Sequence, residues 1–127
     1  MWYIDTSAFL KLIVLEDESA ALRDWFVEQS SIWSSQLLQT EVLRAGDRLE
    51  VPRETVESAL ATISMVLPAT NTFFVAARLL PSALSSLDAL HLASALELGA
   101  DLEGLVTYDE RMTQGAQSLS LSVLAPR

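Results

Sequence analysis

The sequence contains no cysteine, one histidine and one lysine. Without thiols there is no disulfide framework, no iron–sulfur cluster and no cysteine nucleophile, and a lone His91 argues against a histidine-rich zinc site. Any bound metal must be held mainly by oxygen. Basic residues are scarce as well: eight against seventeen acidic ones give a formal charge of −9. That balance argues against a nonspecific coat for nucleic acid or an anionic membrane, while leaving room for a local basic groove. Apolar runs are interrupted too soon to cross a bilayer, which takes about 20 residues. The amino terminus, Met1-Trp2-Tyr3-Ile4-Asp5, carries a carboxylate where a signal peptide wants a basic residue and an unbroken apolar stretch. The cytoplasm is therefore the expected compartment.

What is present suits one domain spanning residues 1–127, half hydrophobic and 20% charged. Trp2 to Ile4 reads as a strand ending at Asp5, with Thr6-Ser7 as the N-cap of a helix through Leu12. Helical spacing of Leu22, Trp25 and Phe26 predicts a helix from about Ser19 to Glu28. Ser31 to Ser34 is a second strand, and Ser34 or Ser35 caps a helix from Gln36 to about Leu49. Pro52 suits the first turn of a helix over Arg53 to about Ile63, followed by a third strand, Met65 to Pro68. A helix from about Asn71 to Leu80 stops at Pro81. Ser85-Ser86 opens a strongly apolar, largely buried helix from Leu87 to Leu98 that Gly99 closes. Leu105 to Thr107 is the fourth strand, Asp109 can cap a final helix, and Ser120 to Leu124 is the fifth strand. Strands alternating with helices predict an α/β layer architecture around a parallel sheet.

Against this pattern the acidic residues stand out by position. Each has an ordinary explanation: Asp5 braces a turn, Asp88 sits in the first turn of its helix where the dipole favours an anion, Asp109 is an N-cap, and Glu41 is a solvated helix residue near Arg44. Jointly they are harder to explain. Asp5 and Asp109 both follow short hydrophobic strands, and Asp88 opens a buried helix, so a parallel sheet can bring them together. Four carboxylates in one cleft repel by ~4 kcal/mol per pair at 4 Å and an effective dielectric of 20. Divalent cations remove that penalty, and an oxygen-only donor set selects Mg²⁺ or Mn²⁺ over zinc or copper.

Tyr3-Ile4-Asp5-Thr6-Ser7-Ala8 with Lys11-Leu12, then Thr40-Glu41-Val42-Leu43-Arg44-Ala45, Leu87-Asp88-Ala89-Leu90-His91-Leu92-Ala93 and Val106-Thr107-Tyr108-Asp109 resemble the successive motifs of PIN-domain ribonucleases. The resemblance is nearest to VapC-type toxins of bacterial toxin–antitoxin pairs and runs from Trp2 to the last strand. It implies a compact three-layer α/β/α sandwich with a mostly parallel sheet of four to five strands. Its acidic positions correspond to Asp5, Glu41, Asp88 and Asp109, which would hold one or two Mg²⁺ or Mn²⁺ ions. It also implies an RNA substrate, often tRNA or ribosomal RNA, a cognate VapB-type antitoxin that inserts a segment into the acidic groove, and a homodimer. Many relatives carry a basic residue just before the Leu-Asp-Ala-Leu-His motif, where this chain has Ser85-Ser86.

On this reading Asp5 and Asp88 are the primary metal ligands, Glu41 and Asp109 complete the set, and the hydroxyls of Thr6, Ser7 and Thr107 support them. Arg44 and Arg48, three and seven positions beyond Glu41, share its helix face and are the candidate RNA phosphate contacts, with Arg111 and Lys11 behind them. Ion pairs with Glu41 and Asp47 are their competing role. His91 is expected to be a hydrogen-bonded core histidine, and Trp2, Trp25 and Trp33 to pack in the core or an interface rather than stack bases. The competing class is a catalytically silent PIN-like module that binds an antitoxin or RNA. A phospho-accepting receiver would need an acidic pair after the first strand and a lysine after the last, and the chain has neither.

Overall fold

The structure, a computed structural model, describes residues 1–127. Five short strands are formed by Trp2–Ile4 (β1), Ile32–Ser35 (β2), Ser64–Val66 (β3), Gly104–Val106 (β4) and Val123–Leu124 (β5). They pair in parallel throughout, in the order β3-β2-β1-β4-β5. Thr6–Ile13 (α1) and Ser19–Val27 (α2) connect β1 to β2, and Gln36–Arg48 (α3) and Arg53–Leu60 (α4) connect β2 to β3. Thr70–Ala76 (α5) and Ser86–Leu96 (α6) lead to β4, and Glu110–Ser118 (α7) leads to β5.

Strand alternation sends neighbouring side chains to opposite faces, which divides the core into two layers. Tyr3 and Leu105 pack with Leu92, Met112 and Ala116, under α5, α6 and α7. Ile4 and Val106 pack with Phe9, Leu22, Val42 and Val56, under α1 to α4. The result is the expected α/β/α sandwich, and each of these fully buried side chains stabilises it by ~1.5–3 kcal/mol. Trp2 and Trp25 meet edge-on at 5.5 Å between ring centroids, as packing rather than stacking residues. At Gly104 a Cβ would lie 2.6 Å from the Ser122 carbonyl oxygen and 2.8 Å from the Trp2 ring. Glycine lets β4 come that close.

Several boundaries differ from the sequence pattern, each for a local reason. The N-cap of α1 is Asp5, not Thr6-Ser7: its carboxylate accepts from the Ala8 amide and helix starts at Thr6. β2 is shifted one residue by its register on β1, Trp2 against Ile32. The helix α4 ends at Leu60 because the Thr62 hydroxyl takes the Ala59 carbonyl and closes the turn early. β3 runs Ser64–Val66, leaving Leu67 and Pro68 outside the ladder. The tail of α5 tightens after Ala76, where the Arg78 and Leu79 amides bond to the carbonyls of Val75 and Ala76. Ser85 caps α6, which ends at Leu96, and Gly99 follows with φ +64°. Leu87, expected inside, is exposed. Ser120 adopts φ 59° in the turn after α7, so β5 is only Val123–Leu124.

The strand order places the site. From β1 the chain builds outward through β2 to β3, then returns so that β4 lies on the other side of β1. The order therefore reverses between β1 and β4, and the carboxyl ends of strands at such a reversal leave a crevice. Asp5 and Thr107 stand directly after the two strands that flank it. No helix is long and apolar enough to cross a membrane.

Candidate active site

Asp5 is the buried member of the acidic set, 3% exposed. Its Oδ1 accepts from the Ser7 hydroxyl at 2.7 Å and the Ala8 amide at 3.0 Å, and its Oδ2 accepts from the Thr107 hydroxyl at 2.5 Å. Burial raises its pKa above the usual carboxylate range, opposed by these three hydrogen bonds and by the nearby imidazole of His91. The Thr107 hydroxyl also accepts from the Asp109 amide at 3.1 Å, so one side chain ties the turn after β1 to the turn after β4. Ser7 reinforces the same join by accepting from the Tyr108 amide.

Glu41 projects from α3 on the other side of the crevice. Its Oε1 accepts from the Thr6 hydroxyl at 3.0 Å and meets Nε2 of His91 at 2.5 Å. Burial works to raise its pKa, but the His91 hydrogen bond and charge and the Thr6 hydroxyl outweigh it and hold the carboxyl below its usual range. Behind this pair, Nδ1 of His91 is 2.7 Å from the Tyr3 hydroxyl, and both residues are fully inside the protein. The sequence pattern identifies His91 as a core histidine with a partner; it does not reveal that the partner is Glu41. The available signal was its place one turn after Asp88, and for Tyr3 its place two residues before Asp5, on the same side of β1.

Asp88 lies half-buried in the first turn of α6, where the Ser85 hydroxyl accepts from its amide at 3.1 Å. Burial raises its pKa, Ser85 and His91 oppose, and the charges of Asp109 and Glu41 push it further up. Asp109 is exposed and caps α7, its Oδ1 accepting from the Met112 amide at 2.8 Å. Asp88, Asp109 and Glu41, from three separate segments, therefore lie close enough for the charges of the last two to act on the first.

A groove of about 430 Å³ opens beside Glu41, walled by Thr6, Leu10, Leu37 and Leu87 and flanked by Arg44 and Arg48. The ion pairs that compete for these arginines do not form. Asp47 binds Arg53 at 2.9 Å, Glu41 binds His91, and Arg44 and Arg48 have no carboxylate within 4.0 Å. Lys11 is instead occupied by Glu16 and Glu18.

The donor chemistry of the set fits a hard divalent cation, since the oxygens are all carboxylate or hydroxyl and the mutual repulsion that raises Asp88 is what a dication relieves. The acids do not stand as a closed cage, however: no group of three Asp, Glu or His side chains is arranged to hold a metal ion. Each is turned to its own donors, Asp5 into the loop formed by Ser7, Ala8 and Thr107, and Glu41 toward His91.

The PIN-domain family model matches residues 2–117. The chain belongs to the PIN-domain family. Ribonuclease VapC46 of Mycobacterium tuberculosis is 42% identical over 125 residues, covering 98% of this chain and 96% of the relative. Ribonuclease VapC35 of the same organism is 39% identical over 137 residues, covering 99% and 97%. These relatives assign this PIN-domain chain to the VapC toxins, ribonucleases of toxin–antitoxin systems. Among solved structures, VapC20 of M. tuberculosis, described as a sarcin-ricin loop cleaving toxin, superposes with a TM-score of 0.78 at 14% identity, covering 99% of this chain and all of that one. A toxin–antitoxin complex from Klebsiella pneumoniae gives 0.73 at 17% identity, covering 100% and 98%. At those identities the superpositions speak for the fold shared by this VapC-family protein.

Proposed function

We propose that this VapC-family chain is an endoribonuclease dependent on Mg²⁺ or Mn²⁺, the toxin of a VapBC-type pair, hydrolysing RNA phosphodiester bonds with water. One observation carries the reading: at the strand reversal Asp5 is tied to Thr107 across β1 and β4, its neighbour Thr6 donates to Glu41 of α3, and His91, one turn beyond Asp88 on α6, meets the same Glu41 oxygen. Asp5 and Asp88 would hold the cation, with Glu41 and Asp109 completing the set. A divalent ion bound there supplies an acidified water and neutralises charge on the phosphate. The chain itself does the rest. Ser7 and Thr107 orient Asp5, Thr6 orients Glu41, and Arg44 and Arg48 draw the RNA backbone to a protein that is otherwise strongly anionic.

Structured RNA, tRNA or ribosomal RNA, is the proposed substrate class, and the description of the VapC20 neighbour as a sarcin-ricin loop cleaving toxin supports the ribosomal option. A VapB-type antitoxin that covers the acidic groove is the proposed inhibitor, and a homodimer the proposed assembly. The test is to purify the protein free of antitoxin and incubate it with total RNA and Mn²⁺. Discrete fragments bearing 5′-phosphates, abolished by EDTA, are expected. A cyclic phosphate product rejects the mechanism, and intact RNA under all conditions favours a silent module that only binds antitoxin or RNA.

A further inference from the structure

The hydrogen bonding of Glu41 is lopsided. Its Oε1 takes both the Thr6 hydroxyl and the imidazole of His91, while Oε2 receives no hydrogen bond from the protein. The imidazole is itself gripped from behind by the Tyr3 phenol at 2.7 Å, and Tyr3 and His91 are 0% and 1% exposed. Two buried polar side chains from β1 and α6 thus form a line that ends on a half-exposed carboxylate on α3. Burial pushes the phenol well above its usual range, so it keeps its proton. An ionised Glu41 can only accept. Nε2 is therefore the donor to Oε1.

We propose that Tyr3 and His91 are positioning residues for Glu41: the phenol oxygen holds Nδ1, Nε2–H donates to Oε1, and this relay fixes the carboxylate so that Oε2 is left for a ligand in the crevice. It rests on the ribonuclease reading for its consequence in turnover, though not for its geometry. The neighbouring bonds give the relay a defined job. Asp5 is fixed by the turn after β1 and by Thr107, whereas Glu41 sits on a different helix and has no backbone donor. Without the imidazole only the Thr6 hydroxyl would hold it. The relay also couples the site to the sheet, because Tyr3 is in β1, two residues before Asp5.

The single histidine makes the test clean, since the protein shows one imidazole in a ¹⁵N-detected two-bond correlation spectrum. In the wild-type protein at neutral pH, without RNA, a proton on Nε2 is expected. A bare Nε2 overturns the relay whatever the protein does to RNA. The second arm is Tyr3→Phe, which deletes one oxygen and keeps the ring. With the fold confirmed by amide spectra, kcat should fall ~10-fold or more while KM for RNA stays within about twofold, the usual effect of freeing a group that orients a site carboxylate. Unchanged kcat overturns the positioning role. Should the wild-type protein cut no RNA, the ribonuclease reading fails and the spectrum still decides the relay.

Discussion

Thr107 donates its hydroxyl to Asp5 from 102 positions away in the chain and accepts the Asp109 amide with the same oxygen. One hydroxyl therefore holds the turn after β1 against the turn after β4, across the strand reversal where the crevice forms. Thr107→Val keeps the shape and removes the oxygen, leaving a buried carboxylate short of a donor and a backbone amide short of an acceptor. A loss of ~1–3 kcal/mol in chemical denaturation is expected, together with slower RNA cleavage as Asp5 loses its orientation. Thr107→Ser should recover most of both.

Asp88 should separate stability from activity. Its carboxyl is held up by burial and by the charges of Asp109 and Glu41, which means the ionised form is the strained one. Asp88→Asn removes that charge, so the melting temperature of the protein freed of metal should equal or exceed that of the wild type while cleavage falls by at least ~100-fold, in the manner of site residues that trade stability for function. Asp5→Asn should behave differently. Asp5 accepts three hydrogen bonds, and an amide has one acceptor oxygen, so a lower melting temperature is expected along with lost cleavage.

These contrasts mark what the chain revealed by pattern and what it withheld. The alternation of Tyr3 with Ile4 and of Leu105 with Val106 carries both core layers, and strand-helix alternation carries the parallel sheet, because period and handedness leave few other solutions. The ends of elements were less legible. They depend on single hydrogen bonds such as Thr62 to Ala59, or on register with a distant strand, as at Ile32. At the site, Asp5 was conspicuous because an acid directly after a hydrophobic strand is unusual. The link from Glu41 through His91 to Tyr3 was not, since it joins three elements separated by 50 and 88 positions and no local spacing encodes it.

The sole lysine offers a test of pH dependence away from the crevice. Lys11 binds Glu16 and Glu18, and its ammonium lies 4.9 Å from the centre of the Tyr108 ring. Desolvation works to lower its pKa, but the two glutamates outweigh it and raise it, while Lys11 above all holds Glu18 below its usual range. A raised lysine contributes stability that is fully present below its ordinary value and lost as pH rises through the folded one. A depressed glutamate contributes stability present above its ordinary value and lost as pH falls through the folded one. Melting temperature against pH should therefore show a plateau falling at both ends. Lys11→Met should flatten both limbs, and 1 M salt should shrink the difference between the two proteins.

Divalent cation should bind the native state more tightly than the unfolded chain, because the charges of Asp109 and Glu41 act on Asp88 only once the chain is folded. At 100 times its dissociation constant, Mn²⁺ should add about 2.7 kcal/mol to unfolding free energy. EDTA should reverse the gain, and Asp88→Asn should abolish most of it. A thermal scan by calorimetry with and without Mn²⁺ measures this directly, and a wild-type transition indifferent to Mn²⁺ rejects the carboxylate set as a cation site.

Arg44 and Arg48 should act on RNA affinity rather than on stability. Both are exposed on α3 beside the groove, and neither is engaged by a carboxylate, since Asp47 is taken by Arg53 and Glu41 by His91. Replacing both with alanine breaks no ion pair, so the melting temperature should change little. Each phosphate contact releases counterions, and the salt dependence of affinity for single-stranded RNA falls by about 0.7 in log-log slope per contact removed. The double variant should raise KM, leave kcat nearly unchanged at saturating RNA, and lower that slope by about 1.4 if both arginines touch phosphates. Fluorescence anisotropy of a labelled RNA across a salt series reads the slope. An unchanged slope would assign the two arginines to solvent and leave the basic path to Arg111.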